Sequence, residues 1–409
     1  MFGLYVHIPF CSAICNYCNF NRGLFDPGLK ARYVEALLCE IRAGLKACTT
    51  DVGVVQTFRS AQAEIRAGLK ACITDVSAVQ TFRPAQADTI YFGGGTPSLL
   101  EPEEIARIIR ACEGSFELAR DREVTLEANP ESVTVDRLRA YRDAGVNRLS
   151  FGVQSFREEE LRRLSRLHTA ARAHEAVAEA RAAEFDNVSL DLMMWLPGQG
   201  VAQWLESVDE AIRLSPDHLS LYLLEVYPNA PLKDEMARGA WSQAPDEDAA
   251  AMYDEAMERL ERAGYEQYEI SNVARPGRRS RHNLKYWTDG EWIGFGTGAH
   301  STWGGVRMRN LSSVEEYIQR IVGGRSATAE VRPMAADERL GDALFTGLRL
   351  SDGIDLAAIE RRYGVNVWRR FGADLAPFVE AGCLLHEGSR LRLTRHGMLL
   401  ANDVMAVFV

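Results

Sequence analysis

No apolar run in this chain approaches the ~18–20 residues a helix needs to cross a bilayer, and the first residues lack a signal-peptide pattern. Positive charge is also short. Forty-seven Lys and Arg face 57 Asp and Glu, a formal charge of −10. A general nucleic-acid binder needs a positive field to offset phosphate, so that class is excluded. A disulfide framework is missing as well. Cys11, Cys15 and Cys18 crowd one segment, while Cys39, Cys48, Cys72, Cys112 and Cys383 are scattered in helix-like or apolar contexts. Scattered cysteines read as small buried hydrophobes, and a tight group in a reducing compartment reads as a metal or redox site. What these absences leave is a cytoplasmic protein with no integral membrane segment and no nucleic-acid partner.

What is present is globular composition, 46% hydrophobic and 25% charged. At roughly 150 residues per domain, 409 residues fit two or three units. β-rich runs at Leu4–Ile8, Thr89–Phe92, Glu123–Glu127, Arg148–Val153, Val188–Met193 and His218–Glu225 alternate with amphipathic stretches. The latter are Pro102–Cys112, Val135–Ala144, Glu158–Ala183, Val201–Leu214 and Asp246–Ala263. Strands separated by helices predict βαβ units, and six of them predict an α/β fold built as a partial (β/α)6 barrel. Chemistry then belongs at the C-terminal strand ends. Beyond about residue 325, helices at Asp337–Leu348, Leu356–Tyr363 and Val367–Ala381 precede a short hairpin around Gly388, a mostly helical winged-helix-like module. The expected domains are therefore 1–235 for the barrel, 236–325 for an extension and 326–409 for the terminal module. Residues 40–63 recur almost unchanged as 64–87, which reads as a tandem duplication carried outside the barrel, since two copies are too few for a solenoid.

The strongest chemical signal is Cys11-x-x-x-Cys15-x-x-Cys18 after the first strand. Three thiolates can each hold one iron of a cubane cluster and leave the fourth iron open to an outside ligand. Structural zinc with His7 as fourth ligand is the other occupant this spacing admits. A second signal, Gly93-Gly94-Gly95-Thr96-Pro97, follows a predicted strand, where glycines let backbone amides approach a ligand. It has neither the Lys and spacing of a P-loop nor the spacing of a dinucleotide fingerprint.

Together these motifs resemble the radical S-adenosylmethionine (SAM) enzymes. In that superfamily three cysteines hold a [4Fe–4S] cluster, and SAM chelates the open iron. The opening Tyr5-Val6-His7-Ile8-Pro9-Phe10-Cys11, together with 147–156 and Leu196-Pro197-Gly198-Gln199, is similar to the group containing the HemN dehydrogenases and HemW heme chaperones. The resemblance spans the chain apart from the duplicated copy. It implies that Cys11, Cys15 and Cys18 ligate the cluster. It also implies SAM contacts from Tyr5, Gly94, Gly95, Thr96, Glu127, Gln154, Arg166 and Asp191. The pattern departs at Trp195, where the group usually has Gly, so a bulky indole is expected near the SAM face.

Two features discriminate within the group. The dehydrogenase type carries a further Cys two residues after the third, where this chain has Phe20. The chaperone type is marked by His-Asn-x-x-Tyr-Trp, present as His282, Asn283, Tyr286 and Trp287. An imidazole is a normal axial ligand of heme iron, and aromatic neighbours supply a flat wall. Arg278, Arg279 and Arg281 are expected to pair with heme propionates, and His300 matches a further group motif. The resemblance thus implies a heme chaperone that binds a [4Fe–4S] cluster, SAM and heme, and passes heme to heme-requiring acceptor proteins. A flavodoxin or ferredoxin is its expected electron donor. The alternatives are an oxygen-independent coproporphyrinogen III dehydrogenase and a radical SAM methyltransferase.

Overall fold

The computed structural model describes residues 1–46, 86–228 and 230–409. Most of the first copy of the duplication and nearly all of the second lie outside the described residues, as do Cys48 and Cys72.

One twelve-stranded sheet organises the chain. Its strands are β1 (Phe2–Ile8), β2 (Ala87–Gly94), β3 (Leu118–Ala128), β4 (Arg148–Gln154), β5 (Val188–Met194), β6 (His218–Leu223), β7 (Glu266–Glu269), β8 (Asn272–Ala274), β9 (Trp292–Phe295), β10 (His300–Trp303), β11 (Val306–Asn310) and β12 (Thr328–Pro333). The spatial order is β12-β11-β10-β9-β1-β2-β3-β4-β5-β6-β8-β7. From β9 through β6 the neighbours run parallel, and both flanks turn antiparallel. The six predicted strands are all present and in sequential order, and β6 pairs with β8 rather than closing on β1, so the barrel is partial.

A period-two alternation explains why these segments are strands. Val6, Phe92, Leu126, Phe151, Leu190 and Leu221 point to one face and are buried under the helices. Such side chains are each worth about 1.5–3 kcal/mol when removed from water. The intervening Tyr5, Tyr91, Glu127, Ser150, Asp191 and Tyr222 share the concave face, which is polar. One face of the sequence thus drives folding, and the other is left for chemistry.

Two departures from expectation matter. The helix expected over Glu158–Ala183 is two helices, Glu158–Arg163 and Ala170–Ala182. Ser165 adopts a φ of +54° between them, and Thr169 caps the second by accepting from the Arg172 amide at 3.1 Å. Cap chemistry overrode continuous amphipathicity, and the break lifts Arg166 to the C-terminal end of the barrel. The second departure is the antiparallel sheet extension of β7–β12, whose short strands carry weak alternation.

At the C-terminus, helices Ala336–Gly347, Leu356–Tyr363 and Val367–Glu380 accompany a three-stranded sheet of Ile354–Asp355, Leu384–Glu387 and Arg390–Leu393. Leu344, Leu375 and Leu391 join the barrel's apolar core, so this module packs on the barrel. Among the described residues no helix is long and apolar enough to cross a membrane.

Candidate functional site

The first strand delivers the cysteine segment directly to the C-terminal end of the barrel. Cys11 is buried, while Cys15 and Cys18 are half-buried, and all three are free thiols. Burial pushes the Cys11 and Cys18 thiols up; a hydrogen bond with Thr96 partly offsets this at Cys11, and the Phe20 backbone does so at Cys18. Arg166 donates from Nη1 toward the Cys15 sulfur at 3.5 Å, and from Nη2 to Asn129 Oδ1 at 2.8 Å and Gly152 O at 2.6 Å. A fixed planar cation therefore stands beside the cysteine loop, suited to a carboxylate.

Glycine at 94 and 95 is required by close approach. Gly94 has φ +114°, and a Cβ there would sit 2.5 Å from the His7 ring. At Gly95 a Cβ would lie 2.6 Å from the Phe10 carbonyl. The Gly95 and Thr96 amides donate to Ile8 O at 2.8 Å and Phe10 O at 2.7 Å. This turn thus clamps the cysteine loop, with those two amides committed to it, while Thr96 keeps its hydroxyl at the site.

Glu127 ends its strand on the concave face. Its Oε1 accepts from the Tyr91 hydroxyl at 2.7 Å, and its Oε2 accepts from the Gly94 amide at 3.1 Å. Burial dominates and pushes its pKa up to about 7. Asp191, on β5, accepts from Ser150 at 3.3 Å, and burial raises it to about 6. Gln154 stands at φ +70° with its Oε1 buried and without a partner among the described residues, and Arg166 Nε is in the same condition. Buried polar groups are ordinarily satisfied, so these orphans mark a place where a polar ligand belongs. Tyr5, Gly94, Thr96, Glu127, Gln154, Arg166 and Asp191 thus converge around the cysteine loop.

His7, open as a zinc ligand on sequence grounds, is spent on structure. Its Nδ1 accepts from Tyr5 at 3.0 Å, and its Nε2 donates to Asn21 O at 2.7 Å. Among the described residues no three Cys, His, Asp or Glu side chains converge on one point, as a single ion would need. A cubane asks for the opposite, since each thiolate takes a different iron. The donor set fits the cluster better than zinc.

His282 sits at the other end of the barrel. Helix Arg281–Trp287 closes the N-terminal side, and His282 is 1% exposed. Its Nδ1 bonds to Thr89 Oγ1 at 2.7 Å and its Nε2 to the Tyr286 hydroxyl at 3.0 Å. The ring stacks on Tyr91 at 5.0 Å, and burial lowers its pKa to about 3. A neutral imidazole with both nitrogens engaged has no lone pair for an outside iron. Asn283, Tyr286 and Trp287 are half-buried; the Tyr286 hydroxyl reaches His282, and its ring lines an outer groove together with Trp287. The arginines expected to meet propionates are already paired: Arg278 with Asp186, Arg279 with Glu266 and Asp352, Arg281 with Asp88 and Asp121. His300 is exposed at the start of β10, just beyond the loop whose Gly298 packs on Asn21. Trp195 adopts φ +62°, a left-handed conformation in which glycine is at ease and a bulky residue is strained, and its indole donates to Ala244 O at 2.7 Å. The indole is thereby held against the 240s segment and packs on the apolar core.

Sequence reasoning missed Asn129, which bridges Arg166 to Thr96 (3.3 Å), and Tyr91 beneath Glu127. Strict polar alternation in β2 and β3 was the available signal. It also missed the apolar rim of the mouth, where Ile14, Phe20, Leu24, Phe25, Leu167, Tyr222 and Leu223 are exposed.

Comparisons with known proteins give the family and the fold. The radical SAM superfamily matches residues 5–211, and the HemN C-terminal domain matches 334–400. The heme chaperone HemW of Bacillus subtilis is 32% identical over 410 aligned positions, covering 99% of this chain and 98% of that protein. HemW of Mycobacterium tuberculosis is 36% identical, covering 99% and 94%. The solved structure of coproporphyrinogen III oxidase HemN from Escherichia coli, described as a radical SAM enzyme, superposes with a TM-score of 0.79. It covers all of this chain and 89% of that one at 23% identity, a likeness of fold.

Proposed function

The chain belongs to the radical SAM superfamily, in the group of the HemW and HemN proteins, and from that premise we propose that it is a heme chaperone of the HemW type. The observation that carries the reading is end-to-end similarity to HemW proteins, with Phe20 where the dehydrogenase type has a further cysteine. Cys11, Cys15 and Cys18 would hold a [4Fe–4S] cluster, which when bound supplies an electron for reductive chemistry on SAM. The chain's own residues would do the holding. Arg166 offers its guanidinium to the SAM carboxylate, Gln154 Oε1 and Thr96 offer acceptors, and Asp191 takes ribose hydroxyls. Glu127, poised near neutrality by burial, accepts a proton or a hydrogen bond.

The exposed aromatic and aliphatic side chains around the cysteine loop offer an interaction surface for the reductase or the acceptor protein. Heme taken from the cytoplasm would leave for heme-requiring acceptors, with a flavodoxin or ferredoxin reducing the cluster.

The test is an anaerobic heme titration of the cluster-reconstituted protein, run beside a coproporphyrinogen assay with SAM and reductant. Saturable, near one-to-one heme binding without decarboxylated product is expected. Multiple turnovers of coproporphyrinogen would overturn the reading in favour of the dehydrogenase.

A further inference from the structure

We infer that a groove behind Tyr286 and Trp287 takes a propionate-bearing edge of the heme, with Arg339 as the carboxylate's partner. The inference rests on the chaperone reading and gives it a place on the molecule. The groove is a cavity of about 160 Å³ between helix Arg281–Trp287, strands β9 to β11 and helix Ala336–Gly347. It lies away from the cysteine mouth.

Its chemistry is two-sided. Tyr286, Trp287 and Trp292 form an aromatic wall, with Tyr286 and Trp292 packed edge to face at 4.7 Å. Arg307, Arg339 and Arg362 stand along the rim. Arg307 is paired with Asp342 at 2.8 Å and Arg362 with Asp289 at 2.8 Å. The remaining carboxylate, Glu291, accepts from the Gly304 amide at 2.8 Å. Arg339 has no carboxylate partner among the described residues, although it lines the same cavity. Independently, Trp287 carries a buried indole N–H with no acceptor among those residues. A guanidinium and an indole N–H without acceptors, beside an aromatic wall, call for a planar apolar molecule ending in a carboxylate. The edge of a porphyrin has that form.

The volume limits how much can enter. Sites that enclose a drug-sized ligand run to roughly 300–1,000 Å³, so this groove takes one pyrrole edge and leaves most of the macrocycle outside. Partial enclosure suits a cargo that must be handed on. It also divides the His-Asn-x-x-Tyr-Trp motif by role. His282 faces the core and fixes the Tyr286 hydroxyl, making it a positioning residue, while Tyr286 and Trp287 face the cargo.

The test uses the full, cluster-reconstituted chain titrated with iron protoporphyrin and with its dimethyl ester, which lacks free carboxylates. Wild type should bind the acid about tenfold more tightly than the ester, and Arg339→Gln should lose about tenfold for the acid and none for the ester. Arg339→Lys should recover part of the preference. Trp287→Phe, which keeps a ring and removes the N–H, should show a smaller loss confined to the acid. Unchanged cluster absorbance in each variant establishes the fold. Saturable heme binding that Arg339→Gln leaves untouched, ester preference included, overturns the groove while the chaperone reading stands. No heme binding by wild type removes both.

Discussion

The two ends of the barrel are built from the same strands, and the side chains their motifs single out, Gln154 and Arg166 at one end and His282 at the other, spend their polar atoms in opposite ways. At the C-terminal mouth, Gln154 Oε1 and Arg166 Nε are buried without partners, Gln154 is held at φ +70°, and glycines give the cysteine loop close approach. At the N-terminal base, His282 has both nitrogens bonded, and Glu123 accepts the amides of Arg281 and His282 at 3.1 Å each. Unsatisfied groups cost stability and are kept where a ligand can repay them; satisfied networks hold the fold together. The lesson is that a histidine in a family motif can belong to the second kind. Its conspicuous sequence context says little about which way its lone pairs point.

Three substitutions sharpen or break this contrast. The largest expected effect is at the mouth. Cys15→Ser should abolish the visible absorbance and the bound iron and sulfide while leaving far-ultraviolet circular dichroism unchanged, and full iron and sulfide content would refute the cluster assignment. At the base, His282→Ala should cost about 3 kcal/mol in denaturant unfolding, because it opens a cavity and strands Thr89 and Tyr286. Its iron content should stay at the wild-type level. A cost near zero would show that the imidazole is not part of the core.

The smallest effect is one of pH. Burial raises Glu127 from 4.5 to about 7, so the native apoprotein keeps a proton that the unfolded chain releases. Stability should therefore fall as pH rises through that interval. Glu127→Gln removes the loss, so the variant should gain up to about 3 kcal/mol on wild type between pH 4 and pH 8, measured as unfolding free energy. An equal difference at both pH values would mean that folding leaves the Glu127 pKa unshifted. SAM affinity should drop in the same variant, the mark of a mouth residue kept at a cost in stability.

Much of this was legible in the chain. The six parallel strands, the cysteine loop at a strand end and the helix-plus-hairpin terminus follow from hydrophobic periodicity and turn residues, which are local properties. That Glu127, Gln154 and Asp191 share the concave face follows too, because all three lie on strands of one parallel sheet, Glu127 and Gln154 at strand ends and Asp191 in mid-strand. Arg166 was expected beside the cysteine loop on a continuous helix, and the structure places it there by another route. A continuous helix would have carried it along the barrel wall, and only the break at Ser165 with the Thr169 cap brings it to Cys15. The arginines at 278, 279 and 281 show the opposite failure, since their carboxylate partners come from segments far away in sequence.

By itself, the sequence determined the class of fold and the family to which the cysteine spacing belongs, because periodicity and spacing are written along one dimension. The tertiary structure alone decided which polar groups are spent and which are free. Whether His282 or Arg339 has a partner depends on Thr89, Tyr286 and Asp342, which the sheet and its helices bring together only after folding. A lone pair or a charge becomes available by what surrounds it in space, and neighbours in sequence carry little of that information.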